Sequence, residues 1–106
     1  MIRATTPTFT FTVKSQTLDL SEAENIYVTL GQGRVEITKT GEDVNLTPPR
    51  TVEVWLTQQE SLSLREGALA VQLNWTYTDL SGNARRAATK IKIIDVTKQL
   101  LERVIQ

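Results

Sequence analysis

This 106-residue sequence contains no histidine and no cysteine, and offers twelve acidic and twelve basic side chains for acid–base work. That composition excludes thiol chemistry, Cys/His zinc sites, haem held by His or Cys, and Ser-His-Asp or Cys-His nucleophilic arrangements. The acid–base candidates are Glu42 with Asp43, and Glu22 with Glu24. A paired-carboxylate mechanism needs two such groups facing each other across a cleft in unlike environments, and these pairs sit in turn-like segments where solvated carboxylates are the rule. Glu42, Asp43 and Asn45 offer oxygen ligands, but without the spacing of a calcium loop. No catalytic, metal or cofactor-binding residue is therefore assigned, and the chain is expected not to be an enzyme.

Arg85, Arg86, Lys90 and Lys92 form the most basic stretch. They suit phosphate contact, or equally an edge strand kept soluble and guarded against stray pairing. The preceding strand offers Gln72, Asn74 and Thr76 in place of an aromatic stacking platform, and the net charge is zero, so neither nucleic acid nor a membrane surface is the expected partner. Trp55, Trp75, Tyr27 and Tyr77 supply rings able to stack on a sugar or anchor an interface. Trp75 and Tyr77 share alternation with Leu69, Val71 and Leu73 and are assigned to the core. Tyr27 and Trp55 lie opposite the aliphatic faces of their strands and are the surface candidates, unless a second covered face buries them.

The elements that position these residues are strands. Phe9, Phe11 and Val13 alternate with threonines; Leu18 and Leu20 flank Asp19; Ile26, Val28 and Leu30 run to Gly31-Gln32-Gly33, which closes a hairpin onto Val35 and Ile37. Ser21-Glu22-Ala23-Glu24 reads as a turn or single helical turn, and Gly41-Glu42-Asp43 as a turn before Val44 and Leu46. Pro48-Pro49 cannot lie inside a central strand and separates two, the second carrying Val52, Val54 and Leu56. Thr57-Gln58-Gln59-Glu60 is a capping box predicting a short helix to about Leu64. The longest strand spans 68–78; a turn at 79–83 returns it to a strand over 84–95, with Ala87, Thr89, Ile91 and Ile93 facing inward and Arg86, Lys90 and Lys92 sharing the other face. Seven or eight strands at this spacing, in a chain 40% hydrophobic and 23% charged, predict an all-β, immunoglobulin-like antiparallel sandwich over 1–95. Its stabilisation does not require disulfides at this length.

The period changes over 96–106, where Leu100, Leu101, Val104 and Ile105 fall on one face of a predicted C-terminal amphipathic helix with Asp95 or Thr97 as N-cap. A helix this short needs a surface, either its own domain or a neighbouring subunit. At the other end Ile2, Arg3, Thr5, Thr6 and Pro7 form an arm ahead of a strand edge able to pair across a subunit boundary. The opening lacks the apolar core of a signal peptide, and synthesis in a cytoplasm is the expectation.

Taken together, Met1-Ile2-Arg3-Ala4-Thr5-Thr6-Pro7-Thr8-Phe9-Thr10-Phe11, the 26–32 strand and turn, Val52-Glu53-Val54-Trp55-Leu56-Thr57-Gln58-Gln59-Glu60-Ser61-Leu62, and Val71-Gln72-Leu73-Asn74-Trp75 resemble small structural proteins of phage and prophage tail modules. The resemblance spans about 1–95 and is similar in layout to the immunoglobulin-like N-terminal domain of phage baseplate upper proteins. Such proteins often carry a His after Thr-Pro-Thr where Phe9 stands here, and the terminal helix has no counterpart. The resemblance implies a non-enzymatic virion component of a tail or baseplate, with other virion proteins or copies of itself as partners and a homo-oligomer in the assembly. The alternative is a carbohydrate- or cell-surface-binding β-sandwich using Trp55 and Tyr27.

Overall fold

A computed structural model describes residues 1–15 and 17–97. Eight strands and one short helix follow in the order β1 (Thr8–Thr12), β2 (Asn25–Gln32), β3 (Val35–Thr40), β4 (Asn45–Thr47), β5 (Thr51–Trp55), α1 (Gln58–Leu62), β6 (Gly67–Thr78), β7 (Ala84–Ala88) and β8 (Lys92–Val96). They form two antiparallel sheets: a small one ordered β1-β5-β4, and a large one ordered β3-β2-β6, with β7 and β8 end to end along the far side of β6. This is the expected all-β sandwich. Strand parity explains its core. Phe9, Val52 and Val54 of the small sheet face Val28, Leu30, Leu69, Val71, Leu73 and Trp75 of the large one, and all are buried.

Local chemistry fixes the connections. Gln32 pairs with Val35, so β2 and β3 are joined by a two-residue turn, for which Gly33 supplies the positive φ of 56°. Pro48 and Pro49, joined by a cis peptide bond, occupy the short link between β4 and β5. The capping box is formed in full: Thr57 Oγ1 accepts from the Glu60 N–H at 3.1 Å, and Glu60 Oε1 accepts from the Thr57 N–H at 2.9 Å. Leu18 and Leu20 do not form a strand. Leu20 opens a 3-10 turn at Leu20–Glu22 and is itself buried.

The return strand departs from its expected pattern. Asn74 pairs with Ala88 while Val71 pairs with Lys92, so residues 89–91 span the gap opposite only Gln72 and Leu73. This is a β-bulge, and the odd residue reverses the faces beyond it. Thr89 anchors it: its hydroxyl accepts the Leu73 N–H at 3.1 Å, its N–H donates to the Leu73 carbonyl at 2.9 Å, and its carbonyl accepts from the Gln72 amide at 2.8 Å. In consequence Ile91 and Ile93, expected inside, are 61% and 59% exposed, whereas Ile94 and Val96 pack on the core. Lys92 likewise parts from Arg86. It stands opposite inward-facing Val71 with its ammonium 5.9 Å from the Phe11 ring centre, while Arg86 stands opposite Thr76 on the outer face.

Candidate interaction surfaces

The two ends of the sandwich are built differently. At the first end lie α1, Leu56 and Leu64, the latter two fully buried. The N-terminal arm closes this end. Thr97 donates its N–H to the Met1 carbonyl at 2.7 Å, the Arg3 N–H donates to the Thr97 carbonyl at 2.9 Å, and the Met1 ammonium donates to the Asp95 carbonyl at 2.8 Å. The Arg3 guanidinium caps the end of α1, donating to the Leu62 carbonyl at 2.8 Å and also to that of Leu64. Ala4, buried in a left-handed conformation, turns the chain, and the Pro7 carbonyl accepts from the Leu56 N–H at 3.1 Å. Close by, Lys39 projects from β3 to form a 2.7 Å ion pair with Glu60. Burial pushes the Glu60 carboxyl up, but the Lys39 ammonium and the Thr57 N–H outweigh it, and the group lies below the usual glutamate range.

The second end is open. Val13, Ser15 and residues 17–23 with their 3-10 turn face β6 and β7 across a cavity of about 520 Å³. Val13, Leu18, Ala23, Trp75, Tyr77 and Ala87 give it apolar walls, and Asp19 and Glu22 stand at its rim. Tyr77 is 37% exposed here, a correction to its assignment to the core: it lies near the end of β6, past the cover of the small sheet. The Ser21 hydroxyl and N–H hold the Asp19 carboxyl below the usual aspartate range, so it is ionised at neutral pH.

Two further hollows bear on the residues singled out from the sequence. One, about 370 Å³, lies on the outer face of the large sheet, lined by Tyr27, Thr29, Thr38, Asn74, Thr76 and Arg86, with Arg86 donating to Asn74 Oδ1 at 3.1 Å. The other, about 160 Å³, opens between the sheets beside Phe11, Lys90 and Lys92. The acidic candidates do not assemble. Among the described residues no three acidic side chains are placed to hold a metal ion, and Glu42 and Asp43 are exposed on a 3-10 turn.

Of the residues singled out from sequence, Ile2, Arg3, Thr5 and Pro7 are drawn together at the closed end, bound to their own sandwich; Ile2 is 51% exposed, Thr5 donates its hydroxyl to the Ile2 carbonyl, and Thr6 is exposed. Trp55 is 51% exposed on the outer face of the small sheet, opposite Thr8. Tyr27 is half-buried on the outer face of the large sheet, opposite Asn74. The two rings thus lie on opposite sides of the molecule and cannot form one stacking platform. Leu100, Leu101, Val104 and Ile105 lie outside the described residues. Sequence reasoning missed the exposure of Ile91 and Ile93; the signal was two interleaved alternations, Ile91/Ile93 and Ile94/Val96, which only a bulge reconciles. Among the described residues no helix is long and apolar enough to cross a membrane. No family model, curated protein or solved structure matches the chain.

Proposed function

We propose that this chain is a non-enzymatic assembly module, a structural component of a phage or prophage tail or baseplate, that acts through contacts with other virion proteins and with copies of itself. The observation that carries the assembly reading is the bulge at 89–91. It turns Ile91 and Ile93 out to solvent on a strand whose outer edge carries the Met1–Arg3 clasp at Asp95 and Thr97, beside Ala70 and Gly31 on the same sheet face. Single exposed aliphatic residues are ordinary, but two on an edge strand, turned outward by a hydrogen-bonded irregularity, are the features of a surface meant to be covered. Arg86, Glu36 and Asp95 supply a charged rim to an otherwise neutral, threonine-rich face. The tail-module identity rests on the sequence resemblance over about 1–95.

Substituting Ile93→Asp tests the surface. Static light scattering across concentration is expected to give a lower mass than for the unaltered chain, with an unchanged denaturation midpoint. An unchanged mass removes this face from the assembly. The virion assignment is tested by mass spectrometry of purified particles from a producing host, where the chain is expected in many copies per particle; particles lacking it refute the assignment.

A second reading, a carbohydrate-binding module, is favoured by the outer-face hollow, in which Tyr27 stands beside the polar groups of Asn74, Thr29, Thr38 and Arg86. Glycan-array binding abolished by Tyr27→Ala and unaffected by Trp55→Ala would support it.

A further inference from the structure

The open-end cavity has apolar walls and an acidic rim, and the sequence carries a segment of matching character after the last described residue. Residues 98–106 read Lys-Gln-Leu-Leu-Glu-Arg-Val-Ile-Gln: four aliphatic side chains with two cations and one anion. This segment follows Thr97, which lies at the closed end because Val96 pairs with Gly67 at the start of β6. The cavity lies around Trp75 and its partner Ala87, about 27 Å further along β6 at about 3.4 Å per residue.

Reach excludes an intramolecular fit for the first half of the segment. Even in a fully extended chain Leu100 and Leu101 come no more than about 14 Å from Thr97. In the helical form predicted from their spacing, 98–106 would be about 14 Å long altogether. The smaller hollow beside Phe11 is nearer, but it is flanked by Lys90 and Lys92, which repel Lys98 and Arg103. The larger cavity instead presents Asp19 and Glu22. Its volume of about 520 Å³ is in the range that takes several side chains of a bound segment.

We infer that the C-terminal segment of a second copy of this chain docks in the open-end cavity, Leu100 and Leu101 against Trp75 and Tyr77, with Lys98 and Arg103 toward Asp19 and Glu22. The inference rests on the assembly reading and names one of its joints. Because the segment and the cavity are different surfaces, the contact is heterologous. Repeated head to tail it closes into a ring or runs on as a filament, and exchanged reciprocally it joins two antiparallel copies as a swapped dimer.

Sedimentation equilibrium of the full chain, alongside Leu101→Asp and Tyr77→Asp, tests it. Tyr77 is already part-exposed and Leu101 lies beyond the sandwich, so both variants are expected to keep the native circular dichroism and denaturation midpoint. The unaltered chain is expected to self-associate, and each variant to raise the dissociation constant at least tenfold. An equimolar mixture of the two variants is expected to recover association, since one partner has an intact segment and the other an intact cavity. Glu22→Lys, an exposed rim change, is expected to weaken association about threefold. Self-association that neither variant alters overturns the joint while leaving an assembly role standing. A chain monomeric at all concentrations overturns the joint and homotypic assembly together. Two variants that weaken association yet fail to complement in the mixture also overturn it.

Discussion

The closed and open ends of the sandwich are made from the same strands, yet differ in how their last side chains are covered. At the closed end α1, the N-terminal arm and Thr97 fold over Leu56 and Leu64, and the polar groups of the cover are bonded to one another. At the open end Leu18, Ala23 and Tyr77 keep part of their surface in water around a cavity. A small sandwich can leave one end unfinished only if the other supplies enough buried apolar area, so stability should concentrate at the first end and binding at the second.

Substitutions can break that comparison. The largest effect is expected for Leu56→Ala, which opens a void in a fully buried site and should cost about 2–5 kcal/mol in chemical denaturation, whereas Tyr77→Ala at the open end should cost under about 1 kcal/mol. Equal losses would dissolve the distinction. Arg3→Ala removes charged hydrogen bonds to the Leu62 and Leu64 carbonyls and is expected to cost about 1.5–3 kcal/mol, with faster amide exchange confined to the arm and α1.

Thr57→Ala deletes half of the capping box, at about 1 kcal/mol in urea melts. The other half titrates. Glu60 binds its proton less readily in the folded chain than in the unfolded one, so its contribution is complete above the unfolded value and is lost as pH falls through the folded one. The stability advantage of the unaltered chain over Glu60→Gln should therefore be constant near neutrality and shrink below about pH 4. Smallest and opposite in sign is Ser61→Ala. The Ser61 hydroxyl is fully buried with no partner among the described residues, and its removal, in a helix that favours alanine, is expected to stabilise by about 0.5–1 kcal/mol, read as a higher melting temperature.

The closed end was partly legible in the sequence, since its parts are local. The capping box announces α1, and alternation announces which side chains of β5 and β6 are buried. The clasp of Met1 and Arg3 on Thr97 was not, because it joins residues more than ninety positions apart by backbone hydrogen bonds that leave no pattern in side-chain type. The open end was misread at Tyr77, where parity names the correct face but says nothing of how far the opposite sheet extends. The faces of 91–96 were misread for a related reason. Alternation within a strand is a property of that strand, but its register is a property of its partner, and Thr89 changes the register by bonding Leu73 through its side chain. The neutral, outward-facing candidates Tyr27 and Trp55 were placed correctly relative to their own strands, while their separation onto opposite faces of the molecule depended on which sheet each strand joined.

The clasp between the first three residues and Thr97 also sets a timetable for the chain's synthesis. Hairpins such as β2–β3 can form as soon as they emerge from the ribosome, but the cover over Leu56 and Leu64 cannot lock until residue 97 is outside the exit tunnel. A contact across nearly the whole chain raises the mean sequence separation of native pairs and slows the search for them. Until then the apolar end beneath the arm stays uncovered, and a tag fused ahead of Met1 would displace the ammonium from the Asp95 carbonyl at the place where the clasp must close.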